Sequence, residues 1–152
     1  AGPDTAGGAR RDRGGGRRAD GAGERRVNDD VIPIMRIADT LLVALQGDLD
    51  DAAVIRIEEQ LTHEVARTGA TGMLIDVSGL SAVDSFIARV LARVVAMVRL
   101  LGAQAAIVGI QPAVAIALVD LGVPMGHLDT ALNAQQGLAL LARLRRNAAR
   151  AD

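Results

Sequence analysis

The chain has 152 residues, a formal net charge of -1 and half of its residues apolar: one domain plus a tail, with no overall field to draw it to nucleic acid or a membrane. It has no cysteine, and all seventeen of its basic residues are Arg, which excludes disulfides, thiolate metal sites, a Cys nucleophile, Schiff-base chemistry and a Lys-dependent phosphate loop. Phe86 is the lone aromatic, so the core must be built from Leu, Ile, Val, Met and Ala, and base stacking has little to work with.

Residues 1–30 are Gly, Arg and Asp with almost no large apolar side chain, a composition that cannot bury enough surface to fold. A disordered Arg/Gly-rich tail is expected there. Its seven Arg face six acids, which dilutes an Arg-Gly RNA-binding reading. No apolar h-region of a signal peptide is visible. The longest apolar stretch, Ala105 to Val119, is interrupted by Gln111 and Pro112 and is too short to span a bilayer. A cytoplasmic location is expected.

The folded domain is expected over residues 31–147. Ile34 to Ile37 and Leu41 to Leu45, with Ala38-Asp39 between them, read as a β-hairpin. Asp50 suits a helix N-cap, with Asp51 in the first turn. Val54, Ile57, Leu61 and Val65 follow at helical spacing, and Gly69 sits where a C′ glycine belongs. Met73 to Val77 reads as a buried strand, and Ser78 to Asp84 as a turn. A long helix follows from about Ser85 to Leu101. Phe86, Ile87, Val90, Leu91, Val94, Val95, Val98 and Leu101 form its apolar face; Arg89, Arg93 and Arg99 lie on the other. Ala105 to Gly109 is a third buried strand. Pro112 opens a helix that Gly122 closes, and Asn133 with Gln136 resembles a capping box for a last helix carrying Leu138, Leu141 and Leu144. Continuous apolar strands alternating with helices predict an α/β fold with parallel pairings.

Little in the sequence points to catalysis. His63 and His127 have no second His or Cys nearby, so no metal site is expected. A Ser-His-Asp triad stays open, because triads assemble across a fold, but Ser85 lacks the G-x-S-x-G elbow. Glycines cluster only in the tail, away from any strand-linked phosphate cradle. No cofactor is expected. The informative stretch runs from Asp76 to Ile87. Asp84 and Ser85 are both residue types that cap helices, and on the residues alone capping is the plainer reading. A second reading rests on position. A phosphate on a serine in the first turn would meet free N–H groups and a favourable dipole, with Arg89 one turn along.

At these residues the chain resembles the STAS domains, the fold of bacterial anti-sigma factor antagonists. Asp76, Ser78, Leu80, Asp84 and Ser85 match that family's signature in order and spacing, and Phe86-Ile87-Ala88 is similar to the stressosome subgroup. Ile32-Pro33-Ile34, Leu41-Leu42-Val43, Asp48-Leu49-Asp50-Asp51, Thr68-Gly69-Ala70 and Gly109 through Ala115 resemble the same subgroup, so the resemblance covers about Ile32 to Leu144. It implies a STAS fold with a mixed four- to five-stranded sheet and flanking helices. It also implies a non-enzymatic scaffold that assembles with larger sensor paralogues. Such a scaffold holds a serine/threonine switch kinase and releases it when Ser85 is phosphorylated. Asp76, Ser78, Asp84, Ser85, Phe86 and Arg89 are the implied partner-binding or switch region. Family members often have Thr where Val108 stands, which argues against a second phosphosite there. The tail has no counterpart in the family pattern.

Two other functions stay open. The chain could bind an anti-sigma factor directly as a monomer, or it could bind nucleotide, although the lack of Lys and of a glycine loop weighs against the latter. If it self-associates, the apolar surface for this is expected on the helix after Pro112 and around Gly122 to Met125.

Overall fold

The computed structural model describes residue 2 and residues 32–122 and 126–151. Apart from Gly2, the expected tail lies outside the described residues, as do residues 123–125.

Strands β1 (Ile34–Ile37) and β2 (Thr40–Gly47) form the expected hairpin. Its two-residue turn holds Ala38 at φ 52, a left-handed conformation that a hairpin reversal demands. Asp50 then caps helix α1 (Asp51–Thr68), its carboxylate accepting from the Ala53 N–H at 2.7 Å. The helix ends where Gly69 turns left-handed at φ 64 and donates its N–H to the Val65 carbonyl. Strand β3 (Gly72–Leu80), helix α2 (Ser85–Leu100), strand β4 (Gln104–Val108) and helix α3 (Pro112–Asp120) follow. A two-residue strand β5 (Thr130–Ala131) and helix α4 (Ala134–Ala151) complete the domain. The last helix continues past residue 147.

The five strands lie in the order β1-β2-β3-β4-β5. Only the β1–β2 pair is antiparallel; the other three are parallel, and α1, α2 and α3 make the crossovers. The fold is therefore α/β with a mixed five-stranded sheet. Period-2 alternation divides the sheet into two faces. Leu41, Val43, Met73, Ile75 and Ile107 pack with Val54, Leu61, Val94 and Val98 of α1 and α2, and α3 adds Val114 and Leu118 to that layer. Leu74, Ala106 and Val108 face the other way, onto Leu141 of α4, where Leu138 and Leu144 are partly buried. Each fully buried aliphatic side chain contributes about 1.5–3 kcal/mol relative to exposure.

Two expectations need correction. First, β3 does not end at Val77. Ser78 and Gly79 carry turn chemistry, yet the strand runs on to Leu80, pairing Gln46 with Gly79 and Gly47 with Leu80 beyond a register shift. Gly79 permits this: a Cβ there would meet Gln46 Cγ at 2.8 Å and the Leu45 carbonyl at 3.0 Å. Second, Leu101 leaves the apolar face of α2. It is the C-cap, with its side chain about half exposed, and Phe86 at the other end is only partly buried. Arg99, on the face of α2 opposite its apolar one, makes an ion pair and a hydrogen bond. Its guanidinium bonds Asp129 Oδ2 at 2.6 Å and the His127 carbonyl at 2.9 Å. These bonds tie α2 to the segment leading into β5, a strand too short to show in the sequence pattern.

Candidate functional site

The Asp76–Ile87 stretch occupies the C-terminal end of β3 and the start of α2. Asp84 has extended backbone and accepts from the Ile87 N–H through Oδ1 at 2.8 Å, so Asp84 is the N-cap. Ser85 is then the first helical residue. Its hydroxyl carries no hydrogen bond among the described residues, and the residue is partly buried. Arg89 is exposed one turn along and makes no side-chain bond or ion pair with any described residue. Spacing by four residues places Ser85 and Arg89 on one stripe of the helix. Phe86 packs against the main core and anchors the first turn from below.

Asp76 and Ser78 form a second cluster, on the strand side of the Ser81–Asp84 connection. Asp76 Oδ1 accepts from the Ser78 N–H at 2.9 Å. Gly109, at φ 78, presses against both: a Cβ there would lie 2.7 Å from Asp76 Oδ1 and 2.8 Å from Ser78 Cβ. Gln111 donates from Nε2 to the Ser78 carbonyl at 2.7 Å and is itself the N-cap residue of α3. No hydrogen bond joins Asp76 or Ser78 to Ser85. The two clusters are neighbours along the chain, not one bonded constellation. In the sequence Gly109 marked a strand end and Gln111 a break in an apolar run; nothing in their spacing disclosed that they clasp β3.

The surroundings are apolar on one side. Helix α3 buries only Val114 and Leu118, while Ile116 is 63% and Val119 74% exposed and Leu121 about half exposed. Arg93 on α2 is paired with Glu58 of α1 at 3.0 Å. Farther off, on α1, the Arg67 hydrogen bond holds the Glu64 carboxyl below the usual carboxylate range. Among the described residues, no group of three His, Asp or Glu side chains comes together that could hold a metal ion, and no helix is long and apolar enough to cross a membrane.

The Ser85 hydroxyl thus stands at a helix start without a hydrogen bond among the described residues. A family model described as the STAS domain matches residues 31–128. The RsbT co-antagonist protein RsbRA of Bacillus subtilis (strain 168) is 30% identical over 107 residues, 70% of this chain and 39% of that protein. The chain spans about two fifths of the length of the curated relatives it matches. Among solved structures, a serine-to-glutamate variant of RsbS from Moorella thermoacetica is 39% identical, with a TM-score of 0.67 over 76% of this chain and 97% of that one. A chain in a structure of the stressosome, described as a signal integration and transduction hub, is 37% identical, with a TM-score of 0.63 over 75% of this chain and 99% of that one.

Proposed function

We propose that this chain, which belongs to the STAS domain family and is related to stressosome proteins, is a non-enzymatic stress-signalling scaffold. In this reading it co-assembles with sensor STAS paralogues, holds a serine/threonine switch kinase, and releases it when Ser85 is phosphorylated. One observation carries the switch: Asp84 does the capping, so the Ser85 hydroxyl is left without a structural bond at the first position of α2. The likeness to RsbS over nearly that protein's whole length supports the scaffold role, and the name of the RsbR relatives, RsbT co-antagonists, supports a shared target.

The physics separates folding from binding. A phosphate adds roughly -1.5 to -2 charges at pH 7. The N-terminus of α2 favours such an anion by about 0.3–1 kcal/mol, and Arg89 is within a turn. The Asp84 carboxylate opposes part of that gain. The fold is therefore left close to neutral. At a kinase interface shaped around a neutral hydroxyl, an unpaired buried charge costs on the order of 3–5 kcal/mol. Each 1.4 kcal/mol is tenfold in affinity, so binding falls about a hundredfold or more.

The test incubates wild type and Ser85→Ala with the cognate kinase and ATP and maps phosphate by mass spectrometry. Phosphate on Ser85, kinase retained by Ser85→Ala and lost by Ser85→Asp, is the expected result. Phosphate on Ser78 or Ser81 alone, or undiminished binding by Ser85→Asp, would refute it.

A further inference from the structure

We propose that the outer edge of β5, with the groove it opens into between α3 and α4, docks a short extended segment of a partner protein, one with alternating aliphatic side chains and a carboxylate, as a sixth strand. The proposal does not depend on the Ser85 switch.

The edge itself is the first reason. Among the described residues, β5 closes one side of the sheet and pairs only with β4. The Ile107 N–H donates to the Asp129 carbonyl at 2.9 Å, so Asp129 faces β4. Backbone groups alternate along a strand, so the N–H and C=O of Thr130 point outward. Sheet edges are ordinarily blunted by brevity, by charge or Pro on the edge, or by a covering element, and β5, two residues long, has the first of these. Thr130, Ala131 and Leu132 carry none of these side-chain protections, and Leu132 is an aliphatic residue left 77% exposed.

The groove is the second reason. Ile110 and Ala115 line it on the layer shared by α1, α2 and α3; Ala139 and Leu140 line it on the α4 layer. A strand added about 4.8 Å outside β5 would lie between these two walls. Its side chains would alternate between the Ile110–Ala115 wall and the Ala139–Leu140 wall. That is how a peptide adding to a sheet edge gains affinity from backbone bonds and selectivity from alternate side chains.

Charge is the third reason. Arg143 also lines the groove, is exposed, and makes no hydrogen bond or ion pair with any described residue. Among the described residues no lining residue is acidic, and α4 contains no Asp or Glu. A carboxylate on the docked segment is the complement.

The probe is a fluorescein-labelled, amidated hexapeptide, Thr-Val-Glu-Val-Ile-Thr, with a control carrying lysine in place of glutamate. Binding to the full chain is read by fluorescence anisotropy and by amide shifts in nitrogen-15 NMR spectra. The expected result is that the amides of Thr130, Leu132, Ala139 and Arg143 shift with the glutamate peptide. Arg143→Glu should weaken that peptide about fivefold, the worth of one exposed charge contact, and strengthen the lysine control. Thr130→Pro removes the outward N–H and should abolish both. If that variant proves unfolded by circular dichroism, the Arg143→Glu charge reversal decides alone. No shifts at millimolar peptide, shifts confined to the β1 edge, or affinities indifferent to Arg143→Glu would overturn the proposal. So would concentration-dependent shifts of the same amides without peptide, which would make a second copy of the chain the occupant.

Discussion

Asp84 and Ser85 are adjacent residues of nearly equal capping ability, and the backbone gives them different work. Asp84 has ψ 177 and spends its carboxylate on the Ile87 N–H, while Ser85 is already helical. Asp84→Ala should therefore cost about 0.5–2 kcal/mol, with most of it restored in Asp84→Asn, whose amide oxygen can still accept. Urea unfolding midpoints measure this; an unchanged midpoint in Asp84→Ala would return the capping role to Ser85. Gly109 is the other residue whose backbone decides its identity. At φ 78 and with Asp76 Oδ1 in the place of a Cβ, Gly109→Ala should cost about 1–3 kcal/mol. It should also disturb the Ser78 N–H held by Asp76, so a displaced Ser78 amide resonance is the specific sign. A stable variant with that resonance unmoved would show that the β3–β4 contact is loose.

Helix α4 lies closer to the sheet than a side chain allows at one point. A Cβ on Gly137 would fall 2.5 Å from Leu74 Cδ1 and 2.6 Å from Val108 Cγ1. Gly137→Ala should raise helix propensity yet lower stability by about 1–3 kcal/mol, because overpacking a filled layer outweighs propensity. A thermal midpoint at or above wild type would mean that the layer yields. Helix α3 is the opposite case: nearly all apolar, but with Ile116 and Val119 facing out. We expect this face to serve self-association. Ile116→Glu combined with Val119→Arg should leave the thermal midpoint unchanged within a few degrees and block entry into a larger assembly. A collapse of the midpoint would assign the face to the domain's own packing, and an unchanged assembly would exonerate it.

For the molecule as a whole, the question is whether the domain acts alone or in a shell. Mixed with a sensor STAS paralogue, the chain should elute from size-exclusion chromatography in a species far larger than either partner. Persistence as a monomer at high concentration, both alone and with the paralogue, would instead favour direct binding of an anti-sigma factor. Phosphorylation of Ser85 should leave the elution of the shell unchanged and release only the kinase. The charge sits at a helix start, and the apolar face of α3 belongs to a different element.

The hairpin, the three long crossover helices and the strands β3 and β4 were legible in the sequence, because each rests on local information. Val54, Ile57, Leu61 and Val65 have helical spacing; Asp50, Gly69 and Asn133 are punctuation that acts within a few residues. The STAS resemblance, and with it the family and the candidate switch residue Ser85, was also carried by motifs of short span. What only the tertiary structure decided depends on residues far apart in the chain. β3 runs on to Leu80 because β2 pairs with Gly79 and Leu80 past a register shift, which outweighs the turn chemistry of Ser78 and Gly79. β5 exists because β4 pairs with it and Arg99 holds its leading segment from 30 residues away. The clasp of Gln111 on Ser78 joins positions 33 apart. A propensity is summed over neighbours in sequence, whereas a register, a close approach or a free edge is set by whichever segments the fold brings alongside.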